Sequence, residues 1–151
     1  MVVAAWCNLR LDRGLRWLVY VDLAVLFVTG VAWWALDDAF GSARSYLLAT
    51  HGLGAMIFLA TFGAVLALHV GAGWQRRRNR ASGIAMLVLL GVLLATAYGL
   101  YYSGSDWFRD FLADVHLGAG LILPLVLTIH VWLGTNAKGL STSGEAPVVR
   151  E

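Results

Sequence analysis

Long apolar runs dominate the pattern of residues along the chain. Four runs, at residues 17–36, 46–74, 81–102 and 107–135, are separated by short polar stretches. An α-helix of about 20 apolar residues spans the roughly 30 Å hydrocarbon core of a bilayer. Because lipid offers the backbone no hydrogen-bond partners, each run is predicted to be a transmembrane helix. The predicted fold class is therefore all-α, a four-helix transmembrane bundle.

Composition supports a membrane protein and excludes a soluble or disordered one. The chain of 151 residues is 60% hydrophobic and 13% charged, with a mean hydropathy of +0.73. A typical soluble domain is about 45–50% apolar and about 25% charged, and so apolar a chain does not stay expanded. We divide the chain into a cytoplasmic N-terminal segment at 1–16, a four-helix membrane domain at 17–135 and a disordered cytoplasmic tail at 136–151.

Basic residues are distributed unevenly between the predicted loops. The N-terminal segment, the second loop and the tail hold nine of the 11 basic residues, whereas the first and third loops hold only Arg44 and Arg109. By the positive-inside rule, both termini are predicted to lie in the cytoplasm. The second and fourth helices then run in the same direction, from the outer face inward. The four arginines of the second loop are interpreted as a topology signal, and no nucleic-acid partner is expected.

The four histidines all lie in the second and fourth predicted helices. His51 and His69 are 18 residues apart, which is five whole turns of an α-helix, and His116 and His130 are 14 residues apart, about 3.9 turns. Each pair is therefore predicted to project from one helix face. Because the two helices are parallel, His51 pairs with His116 near the outer face and His69 pairs with His130 near the inner face.

Two facing imidazoles suit the iron of a haem, and the sequence predicts two bis-histidine haems. The single cysteine, Cys7, excludes a thiolate zinc site and the two-cysteine attachment of c-type haem. A zinc or copper transport site is expected to add carboxylate or thiolate ligands at the same depth. A macrocycle needs room beside its ligands, and the residue four positions after each histidine is small. Small residues also serve plain helix packing in membranes. These positions are Ala55, Gly73, Gly120 and Gly134.

Three charged residues carry weaker hypotheses. Arg44 and Arg109 are candidates to pair with haem propionates at the outer face, or are ordinary interfacial arginines. Asp22 lies inside the first helix, where a carboxylate is a functional candidate. It could deliver protons to a quinone, or simply be solvated or paired near the cytoplasmic interface.

The histidine segments resemble those of a known family. The stretches from His51-Gly-Leu-Gly to Leu68-His69 and from His116-Leu-Gly-Ala-Gly to Ile129-His130-Val-Trp are similar to the paired ligand helices of di-haem cytochrome b proteins, including small bacterial cytochrome b subunits. The resemblance covers residues 15–135. The 14-residue spacing fits the respiratory cytochrome b pattern, whereas the 18-residue spacing departs from it and puts a transfer of that family's quinone sites in doubt.

The resemblance implies a cytochrome b-like fold with two non-covalent haem b groups in the bacterial inner membrane. It implies electron transfer between a membrane quinone pool and a partner redox subunit, which could be a cytochrome c-type or iron–sulfur protein. An electron-transfer subunit of a larger oxidoreductase complex is favoured over a self-contained enzyme, and a quinone site is possible. The alternative is a non-redox membrane subunit or a histidine-using transporter.

Overall fold

The fold consists entirely of helices in the part of the chain that the structure describes. The structure is a computed structural model, and it describes residues 13–36, 41–75 and 79–142. The helices are α1 (Arg13–Ala35), α2 (Gly41–Val65), a π turn (Leu66–Val70), α3 (Gly71–Gln75), α4 (Arg80–Tyr102) and α5 (Asp106–Thr142).

Four stretches of helix are long and apolar enough to cross a membrane. They are residues 13–35, 41–70, 80–102 and 106–136. Their large apolar side chains are mostly exposed, and polar residues are among the few that are buried, such as Thr29 at 7% and Thr96 at 5% exposure. This inverted distribution is expected of helices that face lipid. The prediction of an all-α fold with four transmembrane-length helices is confirmed, and the chain has the architecture of a multi-pass membrane protein.

The helices form two antiparallel hairpins, each a compact unit. In the first hairpin α1 packs against α2, which continues through the π turn and α3. In the second hairpin α4 packs against α5. We call the end of each hairpin where residues 36–40 or 103–105 join the two helices its connection end, and the opposite end its open end.

The two hairpins share a register that residue identity alone does not reveal. Thr29 lies six residues before the last residue of α1, and Thr96 lies six residues before the last residue of α4. His51 and His116 each lie ten residues after the first residue of α2 or α5. Threonine and histidine therefore occupy equivalent positions near the connection end of each hairpin.

Two boundaries differ from the prediction. Helix α1 begins at Arg13, inside the predicted N-terminal segment 1–16, whose residues 1–12 lie outside the described residues. Helix α5 continues to Thr142, so the predicted disordered tail at 136–151 is wrong for its first seven residues, and residues 143–151 lie outside the described part. Extending an existing helix adds one hydrogen bond for each residue that it fixes. The polar composition of the tail was therefore a poor guide to where the helix ends.

Candidate functional site

In the first hairpin, the imidazole of His51 contacts a threonine of the neighbouring helix. The Nδ1 atom of His51 lies 3.1 Å from Oγ1 of Thr29 on α1, and the same hydroxyl lies 2.7 Å from the carbonyl oxygen of Val25. A carbonyl oxygen only accepts hydrogen bonds, so the single hydroxyl proton of Thr29 points to Val25. In the Nδ1–H tautomer, His51 donates to this hydroxyl while the hydroxyl donates to Val25, and the lone pair of the neutral ring lies on Nε2.

The second hairpin repeats this arrangement. His116 Nδ1 lies 2.8 Å from Oγ1 of Thr96 on α4, whose hydroxyl donates to the carbonyl oxygen of Val92 at 2.8 Å. The Nδ1–H tautomer of His116 satisfies both contacts in the same way. A metal-ligating histidine usually donates its other ring N–H to an acceptor that sets its tautomer and orientation. Thr29 and Thr96 are placed to do this for His51 and His116.

His130 is held in a similar way near the open end of the second hairpin. Its Nδ1 atom lies 3.0 Å from the hydroxyl oxygen of Ser82, and that hydroxyl donates to the side-chain oxygen of Asn79. Asn79 also donates from Nδ2 to the carbonyl oxygen of His130 at 3.1 Å. Asn79 directly precedes α4 and has a positive φ of 56°, a conformation that asparagine tolerates well. His51, His116 and His130 therefore each have Nδ1 within hydrogen-bond distance of a hydroxyl of the opposing helix.

The spacing of the hydroxyl residues on α4 matches the spacing of the histidines on α5. Ser82 and Thr96 are 14 residues apart, as are His116 and His130. Since both histidine rings contact α4, the prediction that they share one face of their helix is confirmed. The helix is continuous through Pro124, which lies between them.

His69 departs from its predicted geometry. It lies within the π turn Leu66–Val70, and its side chain is exposed. The prediction that His51 and His69 are five whole α-helical turns apart therefore needs correction. A π turn accommodates one extra residue, so it offsets His69 by up to about 100° from the direction a continuous α-helix would give it. Such turns are frequent at functional sites.

A glycine lets the His51 ring lie close to the backbone of α1. A Cβ atom added at Gly30 would stand 3.2 Å from Cε1 and 3.5 Å from Nδ1 of His51. Contacts of 3.0–3.4 Å are tighter than nearly all real Cβ contacts, so a side chain at Gly30 would displace the ring from Thr29. Near His130, the position of a Cβ at Gly83 is 3.8 Å from Cε1 of that ring.

The small residues predicted to leave room for a macrocycle have different surroundings. A Cβ at Gly73 or Gly120 would meet no described atom within 4 Å, so the helix surface beside these positions is open. A Cβ at Gly134 would stand 3.8 Å from Nδ2 of Asn79, and Ala55 is half-buried. Other glycines of the spans, such as Gly63 and Gly91, are equally open, so the role of these positions beside a macrocycle stays a prediction.

The two arginines near the connection ends lie at equivalent positions. Arg44 and Arg109 each precede the nearer histidine by seven residues, which is about two turns. The guanidinium group of Arg44 lies 4.6 Å from the centroid of the Trp33 ring, whereas the side chain of Arg109 is exposed. The cation–π contact holds Arg44 at the connection end of the first hairpin. Pairing of either arginine with a propionate stays a prediction.

Sequence reasoning missed the residues that orient the histidines. Thr29, Ser82 and Thr96 are hydroxyl residues in apolar helices, and each is followed directly by a small residue. A hydroxyl residue followed by a small residue, repeated at the spacing of the histidines, is the sequence signal that could have identified them. Among the described residues, no group of three or more His, Cys, Asp or Glu side chains comes together.

Together, these features define a multi-pass α-helical membrane protein with buried hydroxyl–histidine pairs at equivalent positions in its two hairpins. No family model, curated protein or solved structure matches the chain.

Proposed function

We propose that the chain binds two haem b groups and transfers electrons across a membrane. The observation that carries the proposal is the set of contacts between Nδ1 of His51, His116 and His130 and hydroxyls of the opposing helices. In the Nδ1–H tautomer each neutral ring has its lone pair on Nε2, the nitrogen that would bind iron.

The ligand assignment rests on the topology predicted from the sequence, in which the two histidine helices are parallel. His116 and His130 lie 14 residues apart on a continuous helix, about 21 Å along its axis, so they cannot share one iron. We propose that His51 and His116 hold one haem and that His69 and His130 hold the other. Imidazole is a common ligand of iron. The residues of this chain fit the group: Ala55, Gly73, Gly120 and Gly134 would leave room for it, and Arg44 or Arg109 would pair with its propionates.

Haem b, when bound, supplies a centre that accepts and releases one electron at a time. The chain's own residues would position it: the hydroxyls of Thr29, Thr96 and Ser82 would orient the rings of His51, His116 and His130, and the apolar helices would exclude water. The proposed setting is a bacterial inner membrane with both termini cytoplasmic. There the protein would act as a cytochrome b-like subunit between a quinone pool and a partner redox subunit.

Removing the hydroxyls should weaken haem binding without breaking the hairpins. In Thr29→Val or Thr96→Val, the nearly isosteric side chain loses the acceptor for Nδ1, and groups that orient metal ligands are worth about 10- to 100-fold in affinity. We expect a comparable loss of affinity at one haem. Its midpoint potential should rise, because the less basic imidazole stabilises oxidised iron less. Haem titration and redox potentiometry of the purified protein measure both effects.

Two control variants separate orientation of the ligand from general packing. Thr61→Val removes another buried threonine hydroxyl, which donates to the carbonyl oxygen of Phe58, and it should leave both haems unchanged. Thr29→Ser keeps a hydroxyl and should retain most of the haem affinity of the wild type. Equal effects of Thr29→Val and Thr61→Val on affinity and potential would contradict the proposed role of Thr29.

A further inference from the structure

One ionisable side chain is buried inside the first hairpin and takes no part in the histidine contacts. Asp22 is 6% exposed, although most side chains of the spans face outward. Its carboxylate oxygen Oδ2 has no hydrogen-bond partner among the described residues. Asp22 lies nine residues after the first residue of α1, about 13 Å along a 23-residue helix. Asp22 is therefore buried within the hairpin, about 9 Å along the helix axis from Arg16.

The neighbours of Asp22 place it close to the histidine site. A Cβ at Gly54 of α2 would stand 3.6 Å from Asp22 Oδ1, and Gly54 follows His51 by three residues. Asp22 precedes Thr29 by seven residues, so the two share one face of α1 with an axial separation of about 10 Å. Since Thr29 contacts His51, the carboxyl group is on the order of 10 Å from the imidazole.

The second hairpin shows that packing alone does not require a carboxylate here. Counting seven residues back from Thr96, as Asp22 is from Thr29, gives Leu89 on α4. The residue three positions after His116 is Ala119, which is buried, as Gly54 is. The same place in an equivalent hairpin is thus filled by leucine, which is close to aspartate in size but apolar. A buried carboxylate without a partner is costly in a membrane and is a functional candidate by default.

We propose that Asp22 is a redox-linked proton-binding site. The affinity of its carboxylate for a proton from the aqueous phase rises when one electron reaches the haem held by His51, and it falls again when the electron leaves. The electron comes from the donor of the proposed function, on which this inference rests. The proton comes from water and returns to it, and no covalent bond other than the carboxyl O–H forms or breaks.

The magnitude of the coupling follows from Coulomb's law. Two unit charges separated by about 10–12 Å at an effective dielectric constant of about 20 change the affinity for the proton by about tenfold. Linkage is reciprocal, so the proton changes the affinity for the electron by the same factor. A tenfold change corresponds to about 59 mV for a one-electron couple.

Other titratable groups of the first hairpin could in principle titrate in place of Asp22. Among the described residues, those on α1 are Arg13, Arg16 and Tyr20, and those on α2 and the π turn are Arg44, Tyr46, His51 and His69. Asp22 is the one carboxylate among the described residues of this hairpin, which makes its removal a specific test.

The test is a redox titration of the full-length haem-loaded protein in detergent at a series of pH values. In the wild type, the midpoint potential of one haem should be higher in acid and fall by about 59 mV in total as the pH rises through the range where Asp22 ionises. In Asp22→Asn the side chain is always neutral, so that potential should stay at the acid limit of the wild type at every pH. Asp22→Leu copies the second hairpin and should behave in the same way.

A matched variant and a second measurement make the test specific. Asp110→Asn removes an exposed carboxylate of α5 and should keep the pH dependence of the wild type. The infrared difference spectrum between reduced and oxidised protein should show the C=O absorption of one protonated carboxyl group, and this band should be missing in Asp22→Asn.

Wild-type protein that binds two haems with pH-independent potentials would overturn this inference alone. Wild-type protein that binds no haem would overturn the proposed function as well.

Discussion

His51→Ala and His116→Ala should each remove the same haem. Each variant loses one of two axial imidazoles, and we expect the haem content of the purified protein to fall from about two per chain to about one in both. The double variant should lose no more than either single variant, because residues that act as one unit are strongly non-additive. The remaining haem should keep its midpoint potential. Pyridine haemochrome quantification and redox potentiometry measure the two quantities.

The pattern of loss distinguishes shared ligation from general damage to the fold. Thr61→Ala, which removes a buried polar group of α2 elsewhere, serves as the control and should retain two haems. If His51→Ala and His116→Ala removed different haems, so that the double variant bound none, the pairing of these two residues would be wrong.

His130→Ala should remove the other haem and leave the first one in place. His130 is held at two points, since the Ser82 hydroxyl lies 3.0 Å from Nδ1 of its ring and Asn79 donates to its carbonyl oxygen. We expect His69→Ala to give the same spectrum and the same haem content as His130→Ala. Low-temperature absorption spectra, which separate the bands of two distinct b-type haems, provide the comparison.

The result for His69 is informative because its helix is irregular. A normal haem content in His69→Ala, together with loss of one haem in His130→Ala, would show that another residue completes the second site. The direction of His69 in the π turn would then be incompatible with its predicted role. Ser82→Ala is the matched milder change, and it should weaken that haem without abolishing it.

The number, type and approximate extent of the membrane helices could be predicted from the sequence. The hydrocarbon thickness of a bilayer sets the length of an apolar helix, so the pattern of apolar runs carries nearly all of this information. The ends were less predictable. Helix α5 reaches Thr142, because nothing in the polar composition after residue 135 stops a helix that has already formed.

The histidines were evident from their spacing, but their supporting residues were not. Thr29 and Thr96 lie in apolar helices that contain no histidine, and their importance depends on the register between two antiparallel helices. That register is set by packing, including the close approach of Gly30 to His51, which a one-dimensional pattern does not contain. The π turn at Leu66–Val70 was equally hidden, since its sequence is as apolar as the α-helix around it.

Asp22 shows how a structure can change the meaning of a single residue. Its predicted place near an interface allowed solvation or a surface ion pair. In the structure it is 6% exposed and lies against Gly54, at a position where the second hairpin has Leu89. Leu89 can be identified as the counterpart of Asp22 only when the register of the two hairpins is known. The structure supplies that register, and the sequence alone does not.

The most direct test of the proposed function is the haem content of the wild-type protein purified from a membrane that supplies haem. We predict about two non-covalent haem b groups per chain, with a reduced-minus-oxidised difference spectrum of the b type. A colourless protein with intact helical structure, and without that difference spectrum after incubation with haem, would contradict the proposal. It would favour a non-redox membrane protein in which the hydroxyl–histidine pairs serve another purpose.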